Sequence, residues 1–580
     1  MSKYKLKDKV NSTINVEGNQ SLKKKCDRLA AYYRNAEKPE YQDLTAEQIA
    51  KVEAFWKPYQ FIYQVDPYVH RFYTNATGRF DERYIPEDLQ KYQMSKFFME
   101  EGYMKAFKDK NYTEIVLKDL PAPKTLIHKV AGVFRDADYR PVTIDEAVDI
   151  IAAHQKSVKM EKIAVIKPSV GTSRGAGVLP ITKRATENEI KNMLMTWRSN
   201  LIVQEVIQQH PKIKKIHPES INSVRVMSFL KENECHIISA CLRVGRDGSF
   251  VDNWGKGGLS CGIDENGVCK SPFYDKMGTA YAKHPNGFDP NGFQIPGYEN
   301  LVTLIKKYHL KFPMLRLISW DFAIGPDGNP IFIEWNMKGD TQLHQLSNGP
   351  LYGEHTREIL DEFFSHAYKE VKKGSVQYNE FLNHVEVTGC SPDVTEVQIE
   401  PEINGKPVTV IAAKAFLGNK VITSVAMADT IERIEYQAFF GCSSLKAVRP
   451  SKNLAVVGDG AFTNCYAIES LDLESVVTVE QKAFYNCIAM KTASLGDRAK
   501  SVGYRAFCGC TDLERFTAGK AFHTIEERAF QNCENLREVN IDAEEISVFA
   551  RAFLKCGKFS KDDLKKKCVF KGTNCFKGCI

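Results

Sequence analysis

The sequence predicts an α+β region that begins with helices and is followed by a repeat solenoid. Three observations carry this expectation. At 580 residues the chain exceeds what one hydrophobic core organises, so at least two domains are expected. A phenylalanine followed three residues later by cysteine returns every 22 or 23 residues from Phe439 to the carboxyl end. Upstream of about residue 375 no such period exists, and helical and strand patterns alternate instead.

Composition narrows the class of protein. Hydrophobic residues make up 43% and charged residues 26%, enough to bury ordinary cores, and no apolar run is long enough for a membrane span. The lysines of MSKYKLKDKV are not followed by an apolar stretch, so no secretory signal is read and a cytoplasmic location is expected. A net charge of +7 is slight for this length, and runs such as Lys565 to Lys567 read as a solvated face. Nucleic acid is not an expected partner.

Residues 1–108 read as mostly helical. In LTAEQIAKVEAFW, Thr45 is placed to cap a helix whose apolar residues recur at helical spacing. The aromatic stripe Phe55, Trp56, Tyr59 and Phe61 reads as core.

The first segment with chemical character is KIAVIKPSVGTSRGAGVLPI, residues 162–181, expected as two strands around a glycine-rich loop. Gly171, Gly175 and Gly177, with Ser169 and Ser173, would let backbone N–H groups approach phosphates, and Lys167 would add a fixed positive charge. The loop lacks the Gly-Lys-Ser/Thr that would run into a helix in a Walker loop.

The second segment is MLRLISWDFAIGPDGNPIFIEWNM, two apolar strands joined by the turn from Gly325 to Pro330. A hairpin symmetric about that turn pairs residues whose numbers sum to 655, which sets Asp321 opposite Glu334. Asn336 shares the face of Glu334, being two residues further on. Like charges facing each other destabilise a hairpin, so the pair suggests a bound cation. Hard oxygen donors favour Mg2+.

The glycine-rich loop and the Asp-x12-Glu-x-Asn set together resemble the ATP-grasp superfamily, in which two lobes grip ATP. FDERYIP, LIVQEVIQQHP, HPESINSVRV, VDNWGKGG, SWDFAI, EWN and NGPLYG resemble its sugar-transfer-associated branch, over roughly residues 45 to 370. The resemblance implies an ATP-grasp domain over 109–374. It also implies Lys110 and Lys167 as phosphate-binding lysines, and Asp321, Glu334 and Asn336 as magnesium ligands. Glu205, Val206 and Ile207 would form the adenine-contacting hinge. Arg225 would touch phosphate or an anionic substrate, with Arg243, Asp252 and Asn253 near the acceptor.

The implied activity is carboxylate activation as an acyl phosphate for transfer to an amine or similar acceptor, in making or decorating surface polysaccharide. The small-molecule substrates would be a carboxylate and an amine or sugar acceptor. A kinase acting on a sugar or alcohol, and a non-catalytic scaffold with a vestigial nucleotide domain, are the alternatives. His210, His217 and His344 are not needed as bases for the first reading.

Sixteen cysteines raise the question of disulfides or zinc. Seven of them, Cys442 to Cys579, sit in the repeat with no CxxC pair, so they read as packing residues of a stacked solenoid core. Phe416 starts the series, with Asn419 at the cysteine position. The units resemble BspA-like leucine-rich repeats, which implies a solenoid over 385–580, preceded by a linker at 375–384, and a protein partner on its surface. The lysine-rich AFLKCGKFSKDDLKKKC reads as a cap.

Overall fold

A computed structural model describes residues 20–35, 38, 40–99, 101–170, 177–196, 200–249, 252, 254–336, 341–560, 562–565 and 567–579. The chain divides into two compact units, Met1–Phe363 and Phe364–Ile580. Among the described residues no helix is long and apolar enough to cross a membrane.

The first unit opens with helices α1 (Gln20–Asn35), α2 (Ala46–Trp56) and α3 (Tyr68–Thr77). Thr45 caps α2 as expected. Its hydroxyl accepts from the Gln48 backbone N–H while the Gln48 side chain accepts from the Thr45 N–H, satisfying two donors that the first helical turn leaves open. Trp56 and Tyr59 are fully buried while Phe55 and Phe61 are half-buried, so the aromatic stripe is core in part.

Two antiparallel sheets follow. The first has the strand order β3-β2-β1-β6-β4-β5, built from β1 (Thr125–Val130), β2 (Val133–Arg135), β3 (Pro141–Val142), β4 (Lys162–Pro168), β5 (Leu179–Thr182) and β6 (Leu201–Glu205). The expected hairpin of residues 162–181 is the β4–β5 pair, with Ile166 opposite Leu179.

The second sheet runs β11-β10-β9-β8-β7-β12-β13, with β9 (Leu259–Ile263), β10 (Phe273–Tyr274) and β11 (Ala280–Tyr281) toward one edge. Its central strands are β7 (Ser223–Lys231), β8 (Glu234–Val244), β12 (Leu317–Ile324) and β13 (Pro330–Asn336). Alternation sorts its faces. Val224, Val226, Leu242, Trp320 and Phe322 enter one apolar cluster, and the residues between them carry Arg225, Arg243 and Asp321 on the other face. A helix, α4 (Lys110–Val116), capped by the Asp109 carboxylate, lies against both sheets.

The second unit starts with strands. β14 (Lys369–Lys373), β15 (Val376–Glu380) and β16 (Val385–Cys390) pair antiparallel, so a strand occupies much of the 375–384 stretch expected as linker. Valine and tyrosine at alternate positions of β15 bury Val376 and Tyr378, a pattern the repeat-based reading passed over because it lacks the phenylalanine-cysteine period.

Beyond β16 the ladders are parallel apart from the small hairpin at residues 402–407, and a coil carries two short strands, as Ser470–Leu473 beside Thr492–Leu495 and Thr478–Val479 beside Ser501–Val502. Core phenylalanines from Phe416 to Phe553 stack with ring centroids 4.9 to 5.4 Å apart. Each repeat cysteine donates its thiol hydrogen to the carbonyl of the phenylalanine one coil earlier, as in Cys510 to Phe484 at 3.1 Å and Cys556 to Phe530 at 3.0 Å. A small side chain with a weak donor is what that position needs, and all these cysteines are free. Asn419 solves the same turn differently, its Oδ1 accepting from the Val421 and Ile422 N–H groups.

Because coils bond to their neighbours and each unit closes its own core, fragments 1–363 and 364–580 are each expected to express folded and melt cooperatively. The check is circular dichroism of both fragments against the full chain. Loss of structure in either fragment alone would show that the units depend on each other.

Candidate active-site cleft

The cleft is built where α4 bridges the two sheets. The Lys110 N–H donates to Ser169 O at 3.0 Å and the Glu205 N–H to Lys124 O at 2.9 Å, tying residues 110–124 to the first sheet. Trp335 Nε1 donates to Phe107 O at 3.0 Å and the Phe332 N–H to Pro121 O at 2.6 Å, tying the same segment to β13. Between these ties lies a cavity of about 540 Å³. That is the size of ordinary small-molecule sites.

Five lysines (Lys108, Lys110, Lys118, Lys124, Lys167) and two glutamates (Glu114, Glu334) line it, so its field favours an anion. One end is charged, with Lys110, Lys167, Glu334 and Asn336. The other, about 13 Å down β13 by strand rise, is more apolar, with Leu117, Leu120, Ala122, Pro123 and Phe332, flanked by Lys118 and Lys124. A molecule with a polyanionic end and a flat apolar end fits this polarity.

Asp321 does face Glu334, though by another register than symmetry about the turn. Near the turn the pairs are Ile324 with Pro330 and Phe322 with Phe332, which sum to 654. A bulge at Ile333 then shifts the ladder so that Asp321 meets Glu334 and Ser319 meets Asn336. The bulge therefore brings Glu334 to the face that Asp321 occupies.

The charge balance differs from the sequence expectation. Both Asp321 oxygens are held by guanidinium, with Arg225 Nε at 2.7 Å, Arg225 Nη2 at 2.6 Å and Arg243 Nη1 at 3.1 Å. Burial alone would raise this carboxyl, but attraction from Arg225 and then Arg243 outweighs it and holds it below the usual range. Repulsion between Asp321 and Glu334 is thus answered by two arginines, and the pair by itself does not demand a cation. Arg243 also approaches Asp252, at 3.5 Å, and Ser223 donates to Asp252, whose carboxyl is raised chiefly by burial.

The oxygen donors still suit magnesium. Glu334 and Asn336 open into the cavity, and Asn336 Nδ2 donates to Asp321 Oδ2 at 3.4 Å, leaving its Oδ1 as the oxygen donor. Among the described residues no group of three or more Asp, Glu, His or Cys could hold a metal, so the amide is needed to complete a set.

Lys110 Nζ lies 3.7 Å from Glu334 Oε2. Burial, then repulsion from Lys110, lowers the Lys167 ammonium to about 8, against partial support from Glu334 and Glu114.

Other expected residues lie elsewhere. Ser169 is fully buried and Gly177 sits in a turn before β5, while neither lines the cavity. Gly171, Ser173, Gly175 and Asn253 lie outside the described residues. In the expected hinge, Glu205 ends β6 beside Lys124 at the apolar end, but the Val206 N–H already donates to Ile163 O at 3.3 Å. That donor is therefore spent within the sheet, and neither Val206 nor Ile207 lines the cavity.

None of the three histidines lines the cavity. His210 caps a short helix, His217 bonds Ser220, and His344 is held neutral, down to about 3, by burial and then by Arg225. Glu114 was missed by sequence reasoning. Its spacing of four from Lys110 on one helix was the available signal.

Two antiparallel sheets about a lysine-lined cleft, with an Asp/Glu/Asn hairpin beside it, form an ATP-grasp-like region, here followed by a repeat solenoid of leucine-rich type. Residues 90–359 match the family described as sugar-transfer associated ATP-grasp, and residues 409–518 and 474–580 match the BspA type leucine rich repeat region, in six copies.

Among solved structures, a leucine rich repeat protein of T. pallidum is 22% identical over 35% of this chain and 98% of its own, with a TM-score of 0.31. D-alanyl-alanine synthetase A from Vibrio cholerae O1 biovar eltor str. N16961 is 15% identical over 45% of this chain, with a TM-score of 0.27. The match spans 63% of that synthetase, under two thirds of its length. D-cycloserine synthetase DcsG is 13% identical over 48% of this chain and 82% of its own, with a TM-score of 0.29. No curated protein matches.

Proposed function

We propose that the first unit is an ATP- and magnesium-dependent ligase that activates a carboxylate as an acyl phosphate for transfer to an amine or similar acceptor. The observation that carries this reading is the convergence of Lys110, Lys167, Glu334 and Asn336 in one cleft. Lys110 and Lys167 bind and neutralise phosphate oxygens, and the apolar end receives the base. Glu334 and Asn336, with Asp321 behind them, would hold magnesium, which would supply further neutralisation of charge on the transferred phosphoryl group. Arg225 and Arg243 keep Asp321 ionised and fixed. The match to a sugar-transfer associated family supports a place in polysaccharide synthesis or modification, and a cytoplasmic setting suits an ATP-consuming reaction.

A carboxylate substrate is already charged and needs no base, whereas an alcohol usually needs one. Among the described residues no histidine lines the cleft, and Glu114 already accepts from Thr125 Oγ1 at 2.9 Å. The test is to incubate the protein with ATP, magnesium, candidate carboxylates and excess hydroxylamine. A hydroxamate formed with one equivalent of ADP is expected. A stable phosphorylated sugar or alcohol, with no hydroxamate, would replace the ligase with a kinase.

A further inference from the structure

In the solenoid, the residue two positions before each core phenylalanine adopts a left-handed backbone, as at Gly460 (φ 63°) and Asn574 (φ 59°). Those two residue types take that conformation at little cost. Four successive coils instead place cations there: Lys482 (φ 53°), Arg505 (54°), Arg528 (60°) and Arg551 (58°).

These four are successive rungs. The Lys482 N–H donates to Tyr504 O, the Arg505 N–H to Glu527 O and the Arg528 N–H to Ala550 O, each acceptor standing one residue before the next rung. Neighbouring rungs are therefore about 4.8 Å apart, the spacing of paired strands. The guanidiniums of Arg505 and Arg528 both act on the Cys508 thiol, opposing the burial that raises it, so the two converge there.

Three glutamates, Glu480, Glu526 and Glu527, flank the four cations, which leaves the row itself with a small positive excess. Arg528 Nε lies 3.2 Å from Glu527 Oε1, but among the described residues Lys482, Arg505 and Arg551 have no ion pair. The buried Arg505 Nε has no hydrogen-bond partner there either, and that guanidinium lies over the Tyr504 ring at 5.1 Å. After Arg551, as far as Lys577, the sequence adds eight lysines against two Asp, so the row runs into a basic final coil. Backbone strain and like-charge repulsion thus coincide at four rungs where glycine or asparagine would remove both.

We propose that Lys482, Arg505, Arg528 and Arg551 form a rail that binds an extended acidic polypeptide segment. Three of the four rungs carry the planar fork that pairs bidentately with carboxylates. Same-face side chains of an extended chain recur about every 6.6 Å, within reach of long side chains on rungs about 4.8 Å apart. Single-stranded nucleic acid would want free stacking aromatics, and the ring of Tyr504, next to a rung, is covered by Arg505.

The test uses the full chain and a fluorescein-labelled ten-residue peptide alternating Glu and Ser, read by anisotropy. Binding is expected to weaken at least fivefold between 50 and 200 mM salt. The triple variant Arg505→Asn, Arg528→Asn, Arg551→Asn is expected to lose at least tenfold in affinity while melting at the same or a higher temperature, because asparagine accepts the left-handed backbone. A second variant at the two exposed rungs, Lys482→Glu with Arg551→Glu, is expected to abolish binding. Unchanged affinity in either variant would overturn the proposal, and so would a lower melting temperature of the triple variant, which would make the arginines structural. Tighter binding of single-stranded DNA of equal charge would replace the acidic polypeptide with a nucleic acid.

Discussion

Asp321→Asn is expected to cost stability as well as turnover, whereas Glu334→Gln is expected to cost turnover alone. The Asp321 side chain is 4% exposed and holds Arg225 and Arg243 through three short contacts. Neutralising it leaves two guanidiniums in a buried site without their shared counter-charge, which costs about 3–5 kcal/mol when a buried pair is broken. The Glu334 side chain is 39% exposed and meets Lys110 only at 3.7 Å, so its loss should change stability by less than about 1 kcal/mol. Both changes remove a carboxylate from the charged end of the cleft, and turnover should fall by about 100-fold or more. Urea melts and magnesium-dependent ATP consumption measure the two effects separately. Full magnesium-dependent turnover in Glu334→Gln would sink the metal assignment. An unchanged melt in Asp321→Asn would show that the arginines do not depend on that carboxylate.

Nucleotide affinity is expected to fall as pH rises through about 8, because Lys167 titrates there. Burial and then Lys110 lower its ammonium, so above that pH it becomes a neutral amine and offers no charge to a phosphate. If binding needs the protonated form, affinity should drop by up to about tenfold per pH unit beyond that point. The sign for stability is opposite. Lys167 in the fold binds its proton more weakly than an unfolded lysine does, so it disfavours the folded state below about 8, and this penalty is relieved between about 8 and 10.5. Lys167→Met should weaken ATP binding by about 10–100-fold at neutral pH, the worth of one charge-assisted hydrogen bond, and should remove the pH break. Calorimetric titration from pH 7 to 9.5 decides it, and a flat wild-type profile would exclude Lys167 from the phosphate site.

The sequence by itself determined whatever depends on local spacing. A 22- or 23-residue period can only be satisfied by stacked coils, so the solenoid and its phenylalanine and cysteine ladders follow from the period alone. Strand alternation sets Arg225, Arg243 and Asp321 on one face, and the short turn after Ile324 sets Asp321 near Glu334. Tertiary structure decided the rest. The bulge at Ile333, which settles the Asp321 to Glu334 register, follows from no spacing rule. Arg225 and Arg243 become the partners of Asp321 only because β7, β8 and β12 lie side by side, having come from stretches up to 96 residues apart. The cleft exists only because residues 107–124 are tied to both sheets at once, which no local pattern encodes. The same holds for the cationic rail. Lysine and arginine 23 residues apart look unrelated until coils of that length bring them within about 4.8 Å, because charge repulsion depends on distance in space and not along the chain.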